Sequence, residues 1–245
     1  METSIEPERK RPSLASRALA RLQMRLARVT SVSLLSEDFR LIDFQGEALK
    51  GASWGPGDKV QVKLDGTLST RTYTPITWDP ATGKTQLLAY CHGNGPGSKW
   101  AKAAAVGDER YLFGPRSSLE LGDIAAPIVL FGDETSFAFA AALEHRARSA
   151  RPHFVFEVDD IEQSTSVAGK LGLTDAFLIQ RNDADFHLGE ASDTALAHAQ
   201  STTVFVLSGK ASSIQRVRRR LQEAGIGRGR LYAKAYWAPG KVGLD

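Results

Sequence analysis

Apolar and polar positions alternate in short runs through the first half of the chain and merge into longer apolar runs in the second. Alternation at period two marks half-buried strands, and continuous apolar runs mark strands buried on both faces. The alternating segments predict strands over 28–35, 39–44, 59–64, 71–76, 85–92 and 110–113. Gly, Pro and Asp punctuate them, as in Trp54-Gly55-Pro56-Gly57-Asp58, Asp65-Gly66 and Asp79-Pro80. One helix is expected around Gly97 to Ala105. Closely spaced short strands with a single helix describe a small antiparallel barrel.

The pattern changes near Asp123. Apolar strands are expected over 127–131, 153–158, 176–180, 203–207 and 231–237, with helices over 135–148 and 214–224. A capping box, Ser212 with Gln215, is expected to open the second helix. Strand and helix in alternation argue a parallel α/β sheet covered on both faces. The expected organisation is a basic helical extension over 1–23, an antiparallel β-barrel over 24–122 and an α/β parallel-sheet domain over 123–245. The extension carries Leu14, Ala18 and Leu22 at spacing four beside Arg17 and Arg21, a helical pattern suited to a short brace.

Composition narrows the function. A chain of 245 residues with 42% hydrophobic and 24% charged positions is ordinary globular protein with room for a real core. No apolar run approaches the roughly 20 residues of a membrane span, and the charged start lacks a signal peptide's apolar core. The single Cys91 excludes an internal disulfide framework, a cysteine-ligated zinc and a protein-bound iron–sulfur cluster. The expected setting is a reducing cytoplasm, with the chain a monomer that makes no stable membrane insertion. Arginines cluster at 216–220 and near the start, but no aromatics interleave them as a nucleic-acid platform requires, so no nucleic-acid partner is expected. The five histidines have no metal-binding spacing and no G-x-S-x-G elbow is present, so no metal site is assigned. Asp159-Asp160 and Asp183 with Asp185 read as loop caps.

Four segments carry candidate chemistry. Arg71-Thr72-Tyr73-Thr74-Pro75 sets a guanidinium and an aromatic ring on one face of a strand, with hydroxyls beside them. An Arg fork suits a phosphate, a Tyr ring suits stacking on a flat heterocycle, and the Thr74 hydroxyl can meet a ring nitrogen, which makes a candidate flavin seat. His92-Gly93-Asn94-Gly95-Pro96-Gly97-Ser98-Lys99-Trp100 follows a strand and opens a helix, as a pyrophosphate seat would, with side-chain donors from Ser98 and Lys99. His92 reads either as a ligand contact or as a satisfied strand-end histidine. Gly132, Asp133, Glu134 and Thr135 stand at the carboxyl end of the first α/β strand, where open parallel sheets bind ligands. There Thr135 offers a hydroxyl and an amide, while the two carboxylates suit a ribose or amide, or cap the helix. Gly209 and Lys210 repeat the strand-then-glycine pattern and put a cation where a dinucleotide phosphate fits. Tyr236 and Trp237 close the last strand, either covering a flavin ring or sealing the core.

Taken in order, these pieces resemble the siderophore-interacting protein family, FAD-dependent ferric-siderophore reductases related to the ferredoxin–NADP reductases. The resemblance runs from about Met24 and takes in Ser36 to Arg40, Arg71 to Thr74, His92 to Ala101, Gly107-Asp108, Gly114-Pro115, Gly132 to Thr135, Glu157-Val158, Arg181 and Lys234 to Trp237. It implies that Arg71 holds the FAD phosphate, Tyr73 stacks on the isoalloxazine, Thr74 lies near its N5, and Gly95 to Lys99 cradle the pyrophosphate. It further implies NADPH, NADH or a reduced ferredoxin as electron donor and a ferric siderophore as acceptor. Lys234 is the expected contact to an anionic siderophore. Ile76 and Ala238 stand where the family often carries arginine, and Ala235 replaces a frequent glycine. Two other readings fit less of the sequence: a free-flavin or ferredoxin-type reductase of the same superfamily, and a non-enzymatic basic binding module.

Overall fold

The computed structural model describes residues 24–64, 69–119, 121, 126–147 and 151–241. The expected N-terminal helix, the Asp65-Gly66 turn and part of the 120–126 join lie outside them.

Seven strands form an antiparallel sheet: β1 (Met24–Leu34), β2 (Phe39–Gln45), β3 (Lys59–Lys63), β4 (Thr70–Tyr73), β5 (Pro75–Asp79), β6 (Lys84–Tyr90) and β7 (Glu109–Arg116). Their spatial order is β4-β3-β7-β1-β2-β6-β5. The two end strands, β4 and β5, are separated in sequence by Thr74 alone, so the sheet curls until its ends approach. This corrects the expected single strand over 71–76. Pro75 has no N–H to continue a ladder, and β5 turns away to pair with β6 through a bulge between Pro75 and Thr77. The barrel's interior holds Ile42, Phe44, Val60, Val62, Leu87, Trp100 and Leu112. Helix α1 (Pro96–Ala103) closes one end.

The second sheet is parallel, with order β10-β9-β8-β11-β12 for β8 (Ile128–Gly132), β9 (His153–Val158), β10 (Phe177–Gln180), β11 (Val204–Lys210) and β12 (Leu231–Trp237). Its helices are α2 (Phe137–Arg146), α3 (Ile161–Lys170), α4 (His187–Ala197) and α5 (Ala211–Glu223). The apolar runs are explained by burial on both faces. Leu130, Phe154, Phe156 and Val206 face α2 and α3, while Val129, Phe131, Val155 and Phe205 face α4 and α5.

Helix α2 begins at Phe137, after a 3-10 turn over Glu134–Ser136, and its residues Phe137 to Leu143 are all buried. It is apolar on every side because it lies between the parallel sheet and the barrel. Barrel residues Phe39, Ile76 and Leu88 belong to the same cluster. The two sheets therefore share one apolar seam. Gln163 of α3 ties it at the rim, accepting from the Ser36 hydroxyl at 2.6 Å and the Asp38 amide at 3.2 Å. Asp160 caps α3 through the Gln163 N–H at 2.9 Å, as its loop-cap reading expects. The Ser212–Gln215 capping box does not form. Helix α5 starts two residues earlier, directly from β11, with Lys210 in place of Ser212 at the N-cap position and no side-chain cap.

Candidate active site

The barrel side of the site is set by β4. Its ladder to β3 pairs Val62 with Arg71 and Val60 with Tyr73, so the two side chains share a face. Both meet the start of α1. A methyl group built on Gly97 would stand 3.2 Å from the Arg71 Cγ and 3.4 Å from the Tyr73 hydroxyl, so glycine lets the helix come this close without displacing either side chain. Gly95 is the N-cap of α1, Pro96 follows it, and the first turn has neither a side-chain cap nor an acid. A methyl on Gly93 or Gly95 would meet nothing within 4 Å. The start of α1 thus presents uncapped amides and its positive dipole end to open space, with the Arg71 cation beside it. This is a cradle for an anionic group, and it fits the diphosphate of a flavin dinucleotide.

Two residues of this loop are turned inward. The Ser98 hydroxyl donates to the His92 carbonyl at 2.8 Å, so it fastens the loop where a phosphate donor was expected. Trp100 is buried and packs on Tyr73 with centroids 5.5 Å apart. Lys99 and Pro96 are exposed. Burial pushes the Tyr73 phenol well above its ordinary range, which keeps it neutral.

The parallel-sheet side differs from the sequence expectation at Asp133 and Glu134. Both are buried, at 0% and 3% exposure, and both spend their acceptors on protein groups. Asp133 accepts from the Thr135 amide at 2.9 Å, from the Thr135 hydroxyl, and from the Trp237 indole Nε1 at 2.7 Å. Glu134 receives a two-pronged ion pair from Arg181, with Nη1 at 3.1 Å and Nη2 at 2.5 Å, and the Asp159 amide at 2.7 Å. The helix-cap reading describes Asp133, whereas Glu134 is engaged in an ion pair that the sequence does not predict. The Thr135 hydroxyl and amide are likewise occupied.

Arg181 extends the network. Its Nη2 donates to the Glu157 carbonyl at 3.1 Å, and its Nη1 lies 2.5 Å from an Asp159 carboxylate oxygen. Surrounding carboxylates hold the guanidinium above even its ordinary pKa. Glu157, wholly buried on β9, has its Oε2 2.8 Å from His187 Nε2. On the other side of the ring the Asn182 backbone amide lies 3.3 Å from His187 Nδ1. His187 and its bond to Glu157 were not read from sequence. The available signal was a charge embedded in the apolar strand His153-Phe154-Val155-Phe156-Glu157-Val158, which requires a buried partner.

The two sides meet at Thr74. Its hydroxyl lies 3.4 Å from the Tyr236 hydroxyl, and Tyr236, its phenol pushed up to about 12 by burial, stands one residue before the end of β12. Trp237 stands 6.5 Å from His92, and from there aromatic rings follow one another through Tyr90 (5.0 Å), Phe39 (4.8 Å), Phe137 (5.8 Å) and Phe156 (4.8 Å) into the seam. His92 is exposed at the head of this series. Tyr232 and Lys234 alternate onto one face of β12, the face whose Tyr232 packs with the barrel seam; a register shift at Tyr236 then interrupts the alternation, and the Tyr236 hydroxyl reaches Thr74. Lys234 is half-buried there, with no carboxylate at ion-pair distance among the described residues. At this edge the structure joins Thr74 to Tyr236 and sets His92 beside Trp237, while Arg71, Tyr73 and Gly97 meet at the start of α1. Gly132 and Gly209 lie under the Asp133 carboxylate and its cap: a methyl on Gly132 would strike Ser136, and one on Gly209 would strike Asp133.

Comparison with known proteins bears on the fold and the family. The family model "Siderophore-interacting FAD-binding domain" matches residues 61–119, and the model "Siderophore-interacting protein" matches 125–240. The ferric vibriobactin reductase ViuB of Vibrio cholerae is 29% identical over 177 residues, covering 70% of this chain and 65% of its own, so the match spans just under two thirds of that relative. A siderophore utilization protein from T. fusca superposes with a TM-score of 0.72 at 25% identity, covering 91% of this chain and 95% of the other. The siderophore-interacting protein SipS from Aeromonas hydrophila gives 0.71 at 20% identity, covering 90% and 93%. With an antiparallel FAD-binding sheet followed by a parallel α/β sheet, and family matches across both, the chain belongs to the siderophore-interacting protein family.

Proposed function

We propose that this protein is a reductase of ferric siderophores that uses FAD. Electrons enter from NADPH, NADH or a reduced ferredoxin and leave to a ferric chelate, which releases its iron. The observation that carries the reading is the open, uncapped start of α1 with Arg71 beside it, on the barrel whose Thr74 meets Tyr236 of the parallel sheet. FAD, when bound, supplies the exchange between two-electron donors and one-electron iron.

The chain's own residues do the holding. Arg71, Lys99 and the amides of Gly95, Gly97 and Ser98 take the diphosphate, while Tyr73 lies against the ring system and Thr74 presents a hydroxyl near it. Tyr236 and Trp237 close the ring's far side, and Lys234 meets an anionic chelate at the same edge. Ser98, Trp100 and His92 shape the loop, and Gly132 to Thr135 support Trp237 from below. No side chain is asked to act as acid or base, in keeping with the half-buried Tyr73 and Tyr236, whose phenols desolvation raises well above neutrality. The domain limits are taken as 24–122 for the FAD-binding part and 123–245 for the donor part. The setting is taken as a reducing cytoplasm, and the protein as a monomer. Among the described residues no helix is long and apolar enough to cross a membrane.

The test is anaerobic stopped-flow absorbance of the FAD-loaded protein. Mixing with NADPH, NADH or reduced ferredoxin should bleach the flavin band, and a ferric siderophore should restore it. Failure of all three donors would overturn the reductase reading. Reoxidation by free flavin but by no ferric chelate would favour the free-flavin reductase instead.

A further inference from the structure

Two strand-to-helix turns stand beside the point where the parallel sheet's order reverses, between β8 and β11, and an open α/β sheet binds its ligand at such a point. They are not equivalent. The turn after β8 is already filled. Asp133 takes the Thr135 amide, Ser136 takes the Ser208 hydroxyl at 2.7 Å, and two buried carboxylates occupy the place a diphosphate would need.

The turn after β11 is open. Helix α5 has 13 residues, its N-cap Lys210 makes no side-chain cap, and its first turn carries no acid. Its leading amides and dipole therefore face outward uncompensated by side chains. Ser213, third in the helix, is 1% exposed, and its hydroxyl has no hydrogen-bond partner. Helical side chains tilt toward the N-terminus, which turns this hydroxyl to the uncapped end. A buried hydroxyl left unpaired is uncommon and calls for an absent partner. Lys210 adds a cation at the same turn and pairs with no carboxylate among the described residues.

The neighbouring loop, between β10 and α4, supplies a second feature. The Arg216 guanidinium of α5 holds Asp185 at 2.9 Å. Asp185 has φ +56, and among the described residues it alone is non-glycine with positive φ. That geometry sets up Phe186, which is 78% exposed, more than any other large hydrophobic residue described. An unpacked aromatic face at the ligand edge of a sheet suits a purine ring. A phosphate seat and a purine seat joined by one ion pair describe an adenosine diphosphate group.

We propose that the adenosine diphosphate half of the nicotinamide donor binds along the α5 start, with phosphate on Lys210 and the amides and hydroxyls of Ser212 and Ser213 and adenine over Phe186, and not on the β8 turn. This rests on the reading of the chain as a nicotinamide-driven reductase, and it gives Ser212, Ser213 and Phe186 roles.

The test is calorimetric titration of the FAD-loaded protein with 5′-ADP. Ser212→Asp puts a carboxylate at the α5 start. It should raise thermal stability by favouring the dipole and weaken ADP binding about tenfold or more by repelling phosphate. Lys210→Ala should weaken ADP by a similar factor, and Phe186→Ser by about three- to tenfold. All three should keep their flavin. No ADP binding in the parent, or unchanged affinity in Ser212→Asp and Lys210→Ala, overturns the site. Anaerobic flavin bleaching separates the two claims. Bleaching by NADPH or NADH with ADP affinity unmoved by the variants sinks the site and leaves the reductase. The expected ADP losses with no bleaching by either nucleotide keep the site and sink the donor.

Discussion

Trp237 donates its indole N–H to Asp133 at 2.7 Å across the one strand that separates their own. Asp133 follows β8, Trp237 ends β12, and β11 runs between them. The bond exists because β11 carries Gly209 at the crossing point. Gly209 has φ +98, and a methyl group there would collide with the Asp133 carboxylate. One glycine thus lets a buried carboxylate fix the aromatic end of the last strand, beside His92.

Gly209→Ala should therefore be severe. The left-handed backbone alone costs about 1–3 kcal/mol for a side chain, and the clash with Asp133 adds to it. Gly189→Ala, on the exposed side of α4 where a methyl meets nothing within 4 Å, should instead stabilise by about 0.5–1 kcal/mol. Chemical denaturation of the two variants checks the contrast. Equal effects would mean that Gly209 is not a packing constraint.

Asp133→Asn tests the buried charge. Burial pushes the Asp133 carboxyl above its ordinary value of 3.8, in spite of bonds from Thr135 and Trp237. A carboxyl whose pKa rises on folding gives its full stabilisation below the unfolded value and loses it as pH climbs through the folded one. Asn does not titrate and keeps an oxygen for the indole. The melting temperature of the variant relative to the parent should therefore improve as pH rises above the ordinary carboxyl value of 3.8. A difference that stays constant over that range would show that Asp133 does not titrate as its burial requires.

Much of this was legible in the sequence, for stated reasons. Period-two alternation located the barrel strands, and β12 was placed to the residue because both its faces and both its ends are marked. The break at Thr74 was not seen, since Arg71 to Ile76 is apolar and β-branched enough to read as one strand. Its Pro75 was the signal. At the site, Arg71, Tyr73 and the Gly95–Gly97 loop converge because a short ladder and a helix start bring them together. Asp133 and Glu134 read as ligand contacts or caps because burial depends on the tertiary partners Trp237 and Arg181, which are 104 and 47 residues away.

Arg181 holds the other buried carboxylate, and its guanidinium is 14% exposed against 3% for the Glu134 side chain. Arg181→Met would leave Glu134 and Glu157 without their cation, at a cost of about 3–5 kcal/mol. Adding Glu134→Gln should recover a substantial part of the loss, because it removes one stranded charge. A double-mutant cycle of unfolding free energies measures this, and strict additivity would mean that the pair does not couple.

Arg71→Ala should lower flavin occupancy without unfolding the barrel, since Arg71 is only half-buried. Losing a charge-assisted contact of about 1.5–3 kcal/mol weakens FAD about tenfold to a hundredfold. The ratio of flavin to protein absorbance in purified material reports it. Full occupancy would move the diphosphate away from Arg71.

Lys234 gives the most specific prediction about the acceptor. It shares a face of β12 with Tyr232, which packs against the apolar seam between the two sheets, so its side chain starts from the side where the sheets meet. It has no carboxylate partner there among the described residues, which leaves its charge to a ligand. Siderophores of the catecholate or hydroxycarboxylate type carry net negative charge in their ferric complexes, whereas hydroxamate complexes carry less or none. Lys234→Ala should then raise the KM for anionic chelates by about three- to tenfold, equivalent to a partly screened ion contact, and leave neutral hydroxamates unchanged. Flavin content should stay at the parent level, because Lys234 stands on the opposite sheet from the cradle. Steady-state kinetics with one chelate of each class decides it, and an equal change for both would take Lys234 out of the acceptor site.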